Sequence, residues 1–140
     1  MEIAVRYQSR GGNTKKLAEA IAKAVGTRAL DCSHPITNKT DLLILGGSVY
    51  AFGLDEHIRE YISELDPKLI ERAAVFGTSA IVKNGNTEMI KLLSERNIPV
   101  LKDQYYCRGE FKFMHKGRPN SADISEAENF AKSAVKAIKG

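Results

Sequence analysis

The sequence predicts an α/β domain built on a five-stranded, doubly wound parallel sheet with helices on both faces. Three observations carry this expectation. Short runs rich in Ile, Val and Leu alternate along the chain with stretches whose apolar residues recur at helical spacing. One run, Asp41-Leu42-Leu43-Ile44-Leu45, is almost continuously apolar, the pattern of a central strand covered on both faces. The segments between elements are short, which fits right-handed crossovers between parallel strands. At 140 residues, 43% hydrophobic and 27% charged, the chain has one domain's length and an ordinary globular composition, so residues 1–140 are read as a single domain.

The first strand falls within residues 2–7, which alternate weakly and are rich in Ile and Val. Leu17, Ala18, Ile21, Ala22 and Val25 then mark a helix closed by Gly26. Residues 27–32 make a short second strand, and residues 33–40, with Pro35 and Asn38, a connector. The apolar run is the third strand, ending at Gly46-Gly47. Ile58, Tyr61, Ile62 and Leu65 recur at helical spacing until Pro67 interrupts them. Ala73-Ala74-Val75-Phe76 is the fourth strand, and Asn86 or Thr87 is placed to cap a helix carrying Met89, Ile90 and Leu93. Pro99 opens a fifth strand over 100–107. Finally, Asp123 with Glu126 reads as a capping-box variant ahead of a stripe formed by Ile124, Ala127, Phe130, Ala131, Ala134, Val135 and Ile138.

In sheets of this kind ligands bind beyond the carboxyl ends of the strands, where the winding reverses. Three loops gather there: 8–14, 46–54 and 78–86. In the first, Gly11-Gly12 allow positive φ and close approach of a ligand, Asn13 or Thr14 can cap the next helix, and the N–H groups at that helix start suit a phosphate. An ordinary turn would need one glycine and no cluster of hydroxyls. The turn lacks the lysine of GxxxxGK[ST] and a full GxGxxG with its acid, which disfavours nucleoside triphosphates and NAD. The second loop sets Tyr50 and Phe52 among glycines, where rings can stack on a planar ligand. The third is rich in small residues and donors able to meet a heteroaromatic edge.

Ser9-Arg10-Gly11-Gly12-Asn13-Thr14 matches, except at Gly11, the phosphate-loop pattern [ST]-x-T-G-x-T of the flavodoxin family, which essentially the whole chain resembles. The resemblance implies a flavodoxin-like sheet order 2-1-3-4-5 and non-covalently bound FMN. Ser9, Arg10, Gly11, Gly12, Asn13 and Thr14 would then hold the phosphate. Ser48, Val49, Tyr50, Ala51, Phe52 and Gly53 would flank the isoalloxazine, with Tyr50 or Phe52 stacking on it, and Thr78, Ser79 and Ala80 would meet its pyrimidine edge. A glycine peptide at Gly47 or Gly53 would turn over to accept a hydrogen bond from reduced flavin. The resemblance makes the protein a carrier of electrons, and such a protein needs no catalytic triad because the cofactor does the redox chemistry. Gly11 departs from the pattern by removing a hydroxyl, which Arg10 or a backbone N–H would replace. The third loop lacks the tyrosine that many flavodoxins stack on the outer flavin face, and a pI near 9.1 contrasts with the acidity of typical members. Gly47-Ser48-Val49-Tyr50 and Cys107-Arg108-Gly109-Glu110-Phe111 also resemble flavodoxin-fold proteins of the protoporphyrinogen oxidase branch, so the alternative is a small FMN-dependent reductase or oxidase with its own anionic substrate.

The net charge is +4, and most of it lies between Cys107 and Pro119, where Arg108, Lys112, Lys116 and Arg118 face only Glu110. A nucleic-acid face needs a longer basic stripe, so no nucleic acid is expected and the concentration points to one local anionic partner. Arg108, Lys112 and His115 are expected to border the flavin and to select a redox partner protein or a small anionic substrate. A phosphorelay receiver shares the architecture but needs acids where this chain has Tyr7-Gln8 and an aspartate where it has Gly46-Gly47. A cofactor-free binding module is the third reading. Cys32 and Cys107 lack CxxC or Cys/His spacing, and His34 and His57 are isolated, so buried thiols and no metal are expected. No basic and apolar leader opens the chain and no apolar run approaches the ~20 residues of a membrane helix, so the expected address is the cytoplasm.

Overall fold

A computed structural model of the chain describes residues 1–50, 53–80, 85–110 and 115–139. Its strands are β1 (Ile3–Tyr7), β2 (Ala29–Asp31), β3 (Leu42–Tyr50), β4 (Gly53–Leu54), β5 (Ala73–Ser79) and β6 (Val100–Arg108). Its helices are α1 (Asn13–Val25), α2 (Glu56–Ser63), α3 (Asn86–Glu95) and α4 (Ser121–Lys139). Five strands run parallel in the order β2-β1-β3-β5-β6, which without β4 is the expected 2-1-3-4-5. β4 is an addition, pairing antiparallel with the far end of β3 through Val49–Leu54 and Tyr50–Gly53.

Alternation along β3 divides the core between the two faces of the sheet. Leu43 and Leu45 pack with Ile58 and Ile62 of α2 and with Met89 and Leu93 of α3. Leu42 and Ile44 pack with Leu17 and Ile21 of α1 and with Ala127, Phe130 and Ala131 of α4. Among these helix residues the large side chains of Leu17, Ile21, Ile58, Ile62, Met89 and Leu93 are fully buried. Each such side chain contributes about 1.5–3 kcal/mol, against propensity differences of about 0.7 kcal/mol or less per residue, so packing rather than intrinsic preference holds the helices.

The third strand does not stop at Gly46-Gly47 as the sequence suggests. Gly46 lies in the ladder opposite Tyr7 and Phe76, and Gly47 opposite Gly77. Pairing with both β1 and β5 at Gly46, and with β5 at Gly47, outweighs the poor strand preference of glycine, and crowding explains why glycine stands there. A Cβ on Gly46 would lie 2.2 Å from Cζ of Phe76. Residues 46–50, expected as loop, are therefore strand, and turnover of the Gly47 peptide would break the β3–β5 ladder. The fourth expected strand likewise runs on, to Ser79.

Helix starts also differ from expectation. α3 begins from Gly85 without a side-chain cap. Asn86 is drawn inward instead, its amide donating to Tyr105 O at 2.9 Å and to Gln104 Oε1 at 3.1 Å. At α4 the reciprocal pair is Asn120 with Asp123, each backbone N–H donating to the other's side chain at 2.8 and 2.9 Å, so Asp123 is the inner acid of the box and not its cap. Glu126 accepts from the Tyr105 hydroxyl at 2.9 Å.

Replacing Gly46 with alanine is expected to lower the unfolding free energy by about 1–3 kcal/mol, read as a lower urea midpoint at unchanged slope. An unshifted midpoint would mean that the Phe76 ring can move aside.

Candidate functional site

β1 delivers the chain to its turn with Gln8 N–H bonded to Gly46 O at 3.1 Å. Ser9 Oγ accepts from Gly12 N–H at 3.0 Å, and Gly12 takes φ 92° as the N-cap of α1, a conformation open to glycine without strain. The expectation that Asn13 or Thr14 caps this helix is thereby corrected. Both residues lie inside it, and their side chains act as ties. Asn13 Nδ2 donates to Glu110 O at 3.0 Å. Thr14 is fully buried, with Oγ1 2.6 Å from Ser48 Oγ and 3.0 Å from Thr78 Oγ1. One hydroxyl from each of the three expected loop regions thus meets at a single buried point.

What the turn offers an anion is therefore backbone. The first N–H groups of a helix have no acceptor within it and stand at the positive end of its dipole. Here no acid occupies the first turn, and nothing lies within 4 Å of where a Cβ on Gly11 or Gly12 would stand. That donor set fits a terminal phosphate.

Around the turn, Ser48 and Val49 lie buried within β3, so they form the floor of the site and not its rim. Gly53 lies in β4 with φ 131°. The side chain of Tyr50, and Ala51 and Phe52 altogether, lie outside the described residues, as does Lys112. Thr78 and Ser79 are buried at the end of β5. Ser79 Oγ is 2.5 Å from the Tyr106 hydroxyl, and the Arg108 guanidinium lies over the Tyr106 ring, 5.9 Å from its centroid. His115 Nε2 is 3.0 Å from Ala80 O, a contact that calls for the ring proton on Nε2. Arg108 and His115 are thus brought together around Ser79 and Ala80. Arg118 is turned away, donating to both carboxylate oxygens of Asp123 at 2.9 and 2.7 Å, and this pairing holds the Asp123 carboxyl below the usual range.

Sequence reasoning does not find Asp55. Its side chain is wholly buried, caps α2 through His57 N–H at 2.8 Å, and accepts from Arg10 Nε at 3.1 Å. A capping signal is present, since the acid directly precedes Glu56 and a stripe opening at Ile58. The partner 45 residues away leaves no trace in the sequence.

A cavity of about 850 Å³ lies against the same turn on its β2 side, lined among others by Ser9, Arg10, Lys15, Cys32, His57 and Tyr61. Burial pushes the Cys32 thiol up to about 12 and that of Cys107 to about 11; Cys107 is buried as expected, whereas Cys32 is half-buried, packed against the core and lining this cavity. Among the described residues no three His, Cys, Asp or Glu side chains gather to hold a metal ion, and no helix is long and apolar enough to cross a membrane.

A family model described as Flavodoxin domain matches residues 4–113. No curated protein sequence matches the chain. Among solved structures, a flavodoxin from the domain Archaea is similar with a TM-score of 0.81 and 16% identity over 100% of both chains. Oxidised flavodoxin 2 from Bacillus cereus gives a TM-score of 0.74 and 17% identity, covering 98% of this chain and 99% of that one. Rubredoxin oxygen:oxidoreductase from Desulfovibrio gigas gives 0.77 and 12% identity, covering 99% of this chain and 36% of that one. At these identities the likeness is one of fold.

Thr14→Val should leave the Ser48 and Thr78 hydroxyls short of a partner and cost about 1–3 kcal/mol in urea denaturation. For Asp123, whose carboxyl titrates below its ordinary value, the stabilisation is full above that value and is lost as pH falls through the lowered one. Asp123→Asn is accordingly expected to be less stable than the parent at neutral pH, the gap closing in acid; a gap that stays constant with pH would contradict the pairing.

Proposed function

Because the chain belongs to the flavodoxin domain family, we propose that it binds FMN non-covalently at the carboxyl ends of β1, β3 and β5 and passes electrons between a donor and an acceptor. The observation that carries this reading is the buried meeting of Thr14, Ser48 and Thr78, which ties a phosphate-binding turn to the two strand ends that would receive a ring. Bound FMN would supply a ring that takes up and releases electrons; the chain supplies binding and surroundings. Gly11, Asn13 and Thr14 would offer backbone N–H groups to the phosphate, Ser9 a hydroxyl and Arg10 a charge, while the Gly12 N–H is engaged by Ser9 Oγ and shapes the turn. Ser48 and Val49 support the region where Tyr50, Ala51, Phe52 and Gly53 would flank the ring, and Thr78, Ser79 and Ala80 would meet its polar edge. The Ala80 carbonyl is engaged by His115, so Thr78 and Ser79 are the better placed for that role.

A second reading, an FMN-dependent reductase or oxidase with an anionic substrate, is favoured by one observation. Arg108 and His115 converge beside Ser79 and Ala80, where the Arg108 charge would attract an anion and favour a reduced, more negative ring.

Titrating FMN with the purified protein is expected to quench flavin fluorescence to a one-to-one end point, and absence of quenching would reject both readings. Anaerobic reduction of the complex then separates them: two resolved one-electron steps indicate a carrier, a single two-electron step an enzyme.

A further inference from the structure

Asp55 does more than cap α2. The cap uses one oxygen: Oδ1 accepts from His57 N–H at 2.8 Å and lies 3.0 Å from His57 Nδ1. The second oxygen, Oδ2, accepts from Arg10 Nε at 3.1 Å in the β1–α1 turn. The Asp55 side chain is 0% exposed and that of Arg10 55%, so the carboxylate is the fixed member and the guanidinium is placed by it. The backbone of Asp55 reaches the turn by a separate route, its N–H donating to Ser48 O at 3.1 Å while the Ser48 hydroxyl meets Thr14. Asn, Ser or Thr would cap the helix equally well. A charged oxygen aimed at the turn is not something the helix requires.

Resting on the FMN reading above, we infer that Asp55 is a positioning residue for the cofactor's phosphate, holding Arg10 so that its guanidinium and the N–H groups of α1 act on the phosphate together. An arginine already ordered by one carboxylate loses less freedom when an anion arrives, and its planar fork keeps a fixed direction. Charge-assisted pairing is stronger than a neutral bond, so asparagine at this position would preserve the cap and weaken the hold on Arg10. Gly11 provides no hydroxyl, so the Arg10 charge would carry a larger share of the hold on the phosphate.

Fluorescence titration of the parent, Asp55→Asn, Arg10→Ala and the double variant with FMN and with riboflavin tests the assignment. Each single variant is expected to bind FMN about tenfold more weakly, as loss of one charge-assisted contact implies, and the double variant no more weakly than the poorer single. Riboflavin, which carries no phosphate, should bind all four proteins alike. Parental FMN affinity in Asp55→Asn, losses that multiply in the double variant, or an equal loss for riboflavin would each overturn the assignment, the last by showing a merely structural role. A parent that does not bind FMN would reject the flavin reading itself. Asp55 would then be judged by phosphorus NMR titration with inorganic phosphate, where weaker binding by Asp55→Asn supports it and parity with the parent overturns it.

Discussion

Flanked by β1 and β5 and covered by helices on both faces, β3 leaves its peptide groups no access to water, and each must find its partner in a ladder. The rest of the molecule is fitted to that demand. Where the faces are most crowded the strand has no side chain to give: the Phe76 ring occupies the place of a Cβ on Gly46, and Ile58 and Met89 close on Gly47. Across the ladder, a Cβ on Gly77 would stand 2.8 Å from Gly47 O. The glycines thus let β3 and β5 continue side by side beyond the apolar run, far enough to bring Ser48 and Thr78 to Thr14.

The floor of the candidate site is consequently an extension of the core and not a loop laid on top of it. Three buried hydroxyls hold the start of α1 in register with the ends of two strands, so the N–H groups at that helix start are ordered by the fold itself. Val49 and Ser79 belong to the same buried layer. A binding surface built this way resists distortion, because moving one wall would strand polar groups in the interior of the others.

Charge around the site is compensated within the fold more than composition suggests. Arg118 is bound to both oxygens of Asp123, Arg10 shares Asp55 with His57, and Glu110 accepts from Gly117 N–H at 2.6 Å. Lys16 Nζ donates to Pro119 O at 2.6 Å, joining α1 to the segment that follows β6. The basic segment is therefore in part a clasp between elements. Among the described residues of that segment, Arg108 and His115 stand at the end of β5.

The sequence by itself determined the alternation of strands and helices and the faces that the helices bury, and it marked the turn at Ser9–Thr14 as a candidate anion site. Each is a local property of spacing and residue type: Leu17, Ala18, Ile21 and Ala22 mark the buried face of α1 wherever it packs, and consecutive glycines before a helix open its N-terminus to a ligand. Only the tertiary structure decided that Gly46-Gly47 would be strand, that Thr14 would be a buried tie and not a cap, and that Asp55 would reach Arg10. Propensity makes glycine a loop former and threonine a cap, and both preferences were overridden by neighbours distant in the chain, ladder partners in β1 and β5 for Gly46 and in β5 for Gly47, and two buried hydroxyls for the threonine. Contacts of that kind are set by the distance between elements after packing, a quantity that no local pattern of residues encodes.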